Sequence, residues 1–240
     1  MSTYAWVEVC SVIVPFLFGF HPRLRFHRHW RAYGAGILIM MALFIPWDAW
    51  FTGLGVWGFN AEHVWPLRLA GLPVEEWAFF VCIPYCCLYC YHSFQVLGLR
   101  PFPPIITRRI SYALLVVLVL VAAFHYERAY TSSALGLCAV WLAFTAFVQK
   151  ASWLGRFLIT YVIILVPFLI VNGILTGTGL EQPVVWYDNT ENLGIRILTI
   201  PVEDVFYGML MVGLATSVYE YVINRQGSGS QWSQKAVQPQ

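Results

Sequence analysis

Charge is scarce in this sequence: 11% of its 240 residues are charged, where a soluble domain carries about 25%. With 59% hydrophobic residues, the chain cannot cover a water-facing surface with polar groups, so lipid is the expected solvent. Loop-borne cysteines are missing as well. All six cysteines (Cys10, Cys82, Cys86, Cys87, Cys90 and Cys138) lie inside apolar runs, which excludes the framework of a disulfide-rich secreted domain. Strand-type alternation is absent from those runs, and lipid requires backbone groups to pair within each segment, so helices are expected. No basic region precedes the apolar start at Tyr4, so that stretch reads as a permanent span and not a cleaved signal. Lysine is almost absent: Lys150 and Lys235 are the only two.

What is present is a series of seven apolar segments, each close to the roughly 20 residues that cross a bilayer. They lie near Tyr4–Phe20, Ala32–Trp50, Glu75–Leu97, Ile110–Tyr126, Ser132–Val148, Leu154–Leu175 and Ile197–Ile223. The fold class expected is therefore an all-α polytopic membrane protein with seven transmembrane helices. Alternate connections carry Arg23, Arg25, Arg28, Arg31, then Arg100, Arg108, Arg109, then Lys150 and Arg156, then Arg225 and Lys235. These are 11 of the 14 basic residues, leaving Arg68, Arg128 and Arg196 on the other side. Basic loops stay inside, which predicts an outer amino terminus, a cytoplasmic carboxyl terminus and residence in the cell membrane. Eleven of the twelve acidic residues fall on the outer side; Glu220 is the exception. No nucleic-acid partner is expected; the lipid bilayer is. The Gly-, Ser- and Gln-rich stretch 226–240 reads as a disordered tail.

Two short stretches stand out. Leu72-Pro73-Val74-Glu75-Glu76 opens one apolar run and Ile200-Pro201-Val202-Glu203-Asp204 opens another, 128 residues later. Proline and acidic residues in a first turn are ordinary helix-start signals, but here the neighbours repeat too. Asp48 matches Asn172, Trp57 matches Trp186, Asn60 matches Asn189 and Arg68 matches Arg196, with offsets between 124 and 129. Three spans plus one connector return the chain to its starting side. The reading is two parallel three-helix repeats, 1–100 and 131–225, joined by a connecting span at 101–130, with both acidic stretches on one membrane face.

Neighbouring residues on a helix point about 100° apart. One carboxylate of each pair can face a shared cavity while the other faces the loop and Arg68 or Arg196. Carboxyls in opposed environments divide into an acid and a base. A protonated carboxyl beside apolar surface could protonate an alkene, and aromatic faces would shelter the cation, each desolvated contact contributing up to about 2 kcal/mol. Candidates near the two loops are Trp47, Trp50, Trp57, Trp65, Trp77, Phe79, Phe80, Trp186, Tyr187, Phe206 and Tyr207.

These residues carry a resemblance. The chain resembles the integral-membrane lycopene cyclases, whose signature Pro-x-Glu-Glu/Asp stands at Pro73-Val74-Glu75-Glu76 and again at Pro201-Val202-Glu203-Asp204. It looks like two three-span subunits fused through a bridging helix, over about residues 1–225. The resemblance implies a β-cyclase that converts the open ψ ends of lycopene to β-ionone rings, an isomerisation without net redox change. It implies Glu75, Glu76, Glu203 and Asp204 as catalytic carboxylates, with Glu76 and Asp204 placed ahead of the others. Asp48, Asn60, Arg68, Asn172, Asn189, Arg196, Trp77 and Phe206 are substrate-binding or supporting candidates. Lycopene or a related acyclic carotenoid is the implied substrate, and other enzymes of carotenoid biosynthesis are candidate partners. Related members form ε rings or hydrate a carotenoid, and the motif does not separate these outcomes.

Other signals are set aside. Gly53-Leu54-Gly55-Val56-Trp57-Gly58 fits a dinucleotide-binding pattern but lacks a βαβ context, so no flavin site is credited and no cofactor is expected. Cys82, Cys86, Cys87 and Cys90 read as small polarisable packing residues, and no metal is expected. A retinal Schiff base needs a lysine in the last span, where none stands. A proton-coupled transporter suits parallel repeats with membrane carboxylates, yet these carboxylates crowd one face instead of the midplane.

Overall fold

The computed structural model describes residues 1–235. Among them the chain is mostly helical: α1 (Thr3–Phe18), α2 (Trp30–Leu54), α3 (Val74–Val96), α4 (Pro104–Phe124), α5 (Ala129–Ala143), α6 (Leu154–Leu175) and α7 (Glu203–Lys235). A 3₁₀ turn, Phe26–His29, leads into α2, and a π turn, Phe144–Val148, extends α5. Six of these helices are long and apolar enough to cross a membrane. The expected first span falls short: α1 has 16 residues, about 24 Å at 1.5 Å per residue, against a hydrocarbon core of roughly 30 Å. It stops at Gly19, ahead of His21-Pro22, where a residue preceding proline leaves helical geometry. The last helix differs in the other direction. It is carried to Lys235, into the segment expected as a disordered tail; once a helix is nucleated, each added residue gains a hydrogen bond. Residues 236–240 of that segment lie outside the described residues.

Helices pack in matching ways in the two halves. α1 lies on α3, and α5 lies on α7; across the halves, α2 lies on α7 and α3 meets α6. α4 runs beside α5 and is otherwise mostly exposed. Two small antiparallel ribbons cross the mouth. Arg68–Leu69 (β2) pairs with Leu72–Pro73 (β3), and Arg196–Ile197 (β5) pairs with Ile200–Pro201 (β6). Their turns hold Ala70 at φ 53° and Leu198 at φ 59°. A left-handed backbone costs a side-chain-bearing residue about 1–2 kcal/mol, and each turn is braced at the same place. Arg68 donates to the Gly71 carbonyl at 3.2 Å and Arg196 to the Thr199 carbonyl at 2.6 Å.

A third ribbon joins the halves. Trp57–Phe59 (β1) runs antiparallel to Val185–Tyr187 (β4), with Trp57 opposite Tyr187 and Gly58 opposite Trp186. A Cβ at Gly58 would collide with the Trp186 indole, so only glycine lets the strands close. This ribbon places both outer loops over one end of the helical bundle.

Candidate active site

The signature stretches do the same structural work twice. In each, proline ends a ribbon and the next residues begin a helix: Glu75 and Glu76 sit in the first turn of α3, Glu203 and Asp204 in that of α7. The 100° step then sends adjacent carboxylates in different directions. Glu76 and Asp204 face a common interior cavity; Glu75 and Glu203 turn towards the loops. All four are buried.

The loop-facing pair forms two equivalent latches. Glu75 Oε1 accepts from the Trp65 backbone N–H at 2.8 Å and from Ser2 Oγ at 2.6 Å. Glu203 Oε1 accepts from the Leu193 backbone N–H at 2.7 Å and from Thr131 Oγ1 at 2.6 Å. Each glutamate thus ties its long outer loop and the start of α1 or α5 to the helix it begins. Expected partners Arg68 and Arg196 bind turn carbonyls instead, because the turns bend the guanidinium groups back onto their own ribbons. Glu8 of α1 is buried beside Glu75 and has no counterpart carboxylate at the same offset in α5.

The cavity-facing pair is equivalent in position but not in surroundings. Tyr4 donates to Glu76 Oε2 at 2.6 Å, and Tyr130 donates a short hydrogen bond to Asp204 Oδ1. Beside Glu76 stands the carboxyl of Asp48, within hydrogen-bonding reach; Trp57 Nε1 donates to Asp48 Oδ1 at 2.5 Å. At the equivalent place beside Asp204 stands an amide: Asn172 Nδ2 donates to Oδ2 at 2.7 Å, and Tyr187 adds a third donor at 3.0 Å. One centre is a pair of carboxyls. The other is a single carboxylate ringed by three donors.

Tyr187 lies outside the spanning helices. Burial first, and the neighbouring Asp204 second, hold its phenol well above the ordinary tyrosine range, so it remains a neutral donor.

The cavity between these centres has a volume of about 230 Å³. Its long walls come from α1, α3, α6 and α7, while Asp48 of α2, Tyr130 of α5 and the β1–β4 ribbon close its head. It extends from Glu76 down to Cys90, fourteen residues of α3 or roughly 21 Å of helix axis. Near the carboxyls the lining is aromatic: Tyr4, Trp57, Phe79, Tyr130, Tyr187 and Tyr207. Deeper in, it is sulfur and aliphatic, with Ile83, Cys86, Cys87, Cys90, Met211 and Val212. Soft thiols and thioethers suit an apolar, polarisable ligand.

Of the sequence candidates, Glu76, Asp204, Asp48 and Asn172 come together here, with Trp57, Phe79, Tyr187 and Tyr207. Others stand apart. Asn60 donates to Gln182 and Asn189 accepts from Arg196, both in loops away from the cavity. Trp77 donates to the Leu69 carbonyl and steadies a ribbon; Phe206 packs into the core. Trp50, Trp65 and Trp186 are exposed, Phe80 is fully buried in the core, and Trp47 packs behind Tyr207 with ring centroids 5.0 Å apart. The expected match of Trp57 with Trp186 does not hold in space: the strand register puts Tyr187, not Trp186, in the mirror role. Tyr4 and Tyr130 were not among the candidates. Their separation of 126 lies within the 124–129 range of the other repeat pairs, so the repeat itself carried the signal.

The sequence pattern described as "Lycopene cyclase" matches residues 1–94 and 127–222, both halves without α4. A curated protein of Podospora anserina (strain S / ATCC MYA-4624 / DSM 980 / FGSC 10383), "Bifunctional lycopene cyclase/phytoene synthase", is 28% identical over 146 residues. The match covers 56% of this chain and 24% of that longer protein, so it spans about a quarter of the relative's length. No solved structure matches. With both halves matched, and the acidic signature of each at the cavity or its rim, the chain belongs to the lycopene cyclase family.

Proposed function

We propose that this protein is a lycopene β-cyclase that closes the ψ end of an acyclic carotenoid by acid–base chemistry within the membrane. The observation that carries this is the meeting of two unlike carboxyl centres, Asp48 with Glu76 and Asp204 with its three donors, at the head of one apolar cavity. Two adjacent carboxyls in a dry site cannot both ionise cheaply, so the Asp48–Glu76 pair retains a proton. Three donors converge on Asp204 and favour its anion. Glu76 is therefore the acid and Asp204 the base.

The proton of Glu76 bonds to the terminal alkene, leaving a tertiary cation. The electron pair of the neighbouring internal alkene closes the six-membered ring and moves the cation into it. Asp204 then takes a ring proton, restoring a double bond. Loss of the proton from the junction carbon gives the β ring. One proton enters and one leaves, electrons balance, and no redox group is assigned to the step. Tyr187, which donates to Asp204, and Tyr207 line the cavity beside the two centres, between which the proton must return from Asp204 to Glu76. Tyr4 and Tyr130 hold the two carboxyls in line, and the aromatic lining shelters the cation.

The deciding experiment is expression in a bacterium that accumulates lycopene, with pigments separated by chromatography. Monocyclic and bicyclic β-carotenoids are the expected products. Unchanged lycopene beside well-expressed, membrane-inserted protein would sink the cyclase reading, and proton-dependent flux in vesicles would put a carrier in its place.

The same proposal includes seven spans, with α1 crossing as a short helix, two parallel three-helix repeats, and the carboxyl mouth outside. It rests on loop charge and on the matching contacts of the two halves. Fusing a reporter that is active only outside to each terminus checks it: signal is expected from the amino-terminal fusion alone. The reverse pattern would invert the site.

A further inference from the structure

A duplicated motif invites a picture of two active sites, one for each end of a symmetric substrate. The packing argues otherwise. Below the carboxyls the cavity is walled by α1, α3, α6 and α7. Its counterpart under the repeat would be walled by α5, α7, α2 and α3, and that space is filled. A Cβ on Gly36 of α2 would stand 2.7 Å from the Ala215 carbonyl oxygen of α7, so the two backbones are already in contact. Gly213 of α7 lies directly against the Trp141 indole of α5, and Phe44 of α2 closes on Tyr207 with ring centroids 4.8 Å apart. Interiors packed this closely do not open for a bulky ring without rearrangement.

Both carboxyl centres consequently serve one cavity. Its deep end, from Ile83 to Cys90, is lined by sulfur and aliphatic groups with no carboxyl among them. A polyene laid in it has one end at the acid and base and the other end beyond their reach.

We infer that the chain has a single, one-ended catalytic site: each binding event closes one ring, and the monocyclic carotenoid leaves and turns end for end before a second ring can form. This rests on the cyclase reading and adds the order of events to it. Asp48–Glu76 and Asp204 are two halves of one apparatus, and neither half makes a ring alone.

The test uses the full chain reconstituted in lipid vesicles with unlabelled lycopene and added isotopically labelled monocyclic β,ψ-carotenoid. Label is expected in the bicyclic product in proportion to its share of the monocycle pool, and unlabelled bicyclic product is expected only after a lag. Monocycle that accumulates and proceeds no further also upholds one ring per visit. Bicyclic product formed without lag and without label would overturn the inference while leaving the cyclase intact. No change in either carotenoid would overturn the cyclase reading and this inference with it. A second arm compares Glu76→Gln with Asp204→Asn. Each should lose both rings; a variant that still closes one ring would restore the two-site picture.

Discussion

Glu76→Gln and Asp204→Asn are each expected to lower the rate of ring formation about 10²- to 10⁴-fold, the usual contribution of a positioned acid or base. Both substitutions keep the size and an accepting oxygen of the side chain. Tyr4 can still donate to residue 76 and Tyr130 to residue 204, so the fold should persist. What disappears is a transferable proton at one centre and a proton acceptor at the other. The amide at 204 also removes the negative charge nearest the aromatic lining, and with it the counter-charge for the cationic intermediate. Asp48→Asn removes the neighbouring carboxyl that helps keep a proton on the pair, so it should also slow ring formation, but less than loss of the Glu76 carboxyl itself, because Glu76 stays buried. Pigment yield divided by membrane-inserted protein is the measurement. Full activity in both Glu76→Gln and Asp204→Asn would move the chemistry away from this cavity.

The asymmetry behind those roles was already written in the sequence, though only as a mismatch. Asp48 aligned with Asn172, and the repeat read them as supporting equivalents. Only the fold shows that each stands against a cavity carboxyl, so the substitution of amide for acid separates the two centres. Helix phase was equally legible: a 100° step inevitably splits Glu75 from Glu76. The loop partners of Glu75 and Glu203 are not legible in residue types. The backbone N–H groups of Trp65 and Leu193 carry no side-chain signature, whereas Arg68 and Arg196 carry a conspicuous one. The closed counterpart of the cavity was hidden for a similar reason. Gly36 and Gly213 look like ordinary glycines of membrane helices, and what makes them decisive is the neighbour each lets in.

The latch pair gives the sharpest contrast with the cavity pair. Glu203→Gln should fold and retain ring formation within about tenfold, whereas Glu203→Ala should be strongly destabilised. Glu203 is fully buried and its Oε1 receives the Leu193 N–H and the Thr131 hydroxyl. Glutamine keeps that oxygen. Alanine strands both donors where little water reaches; each buried unsatisfied group costs about 1–3 kcal/mol, so the two together cost about 2–6 kcal/mol. Typical domains are stable by only about 5–15 kcal/mol, so a loss of this size frees the outer loop from α7 and lowers the midpoint of thermal unfolding in detergent. Glu75 should follow the same pattern with a smaller effect, because Ser2 is less buried than Thr131 and can turn to water. The comparison separates structure from chemistry at adjacent positions: amide substitution should be tolerated at 75 and 203 and be lethal to activity at 76 and 204. A well-folded but inactive Glu203→Gln would return that glutamate to the reaction and make the site a three-carboxyl one.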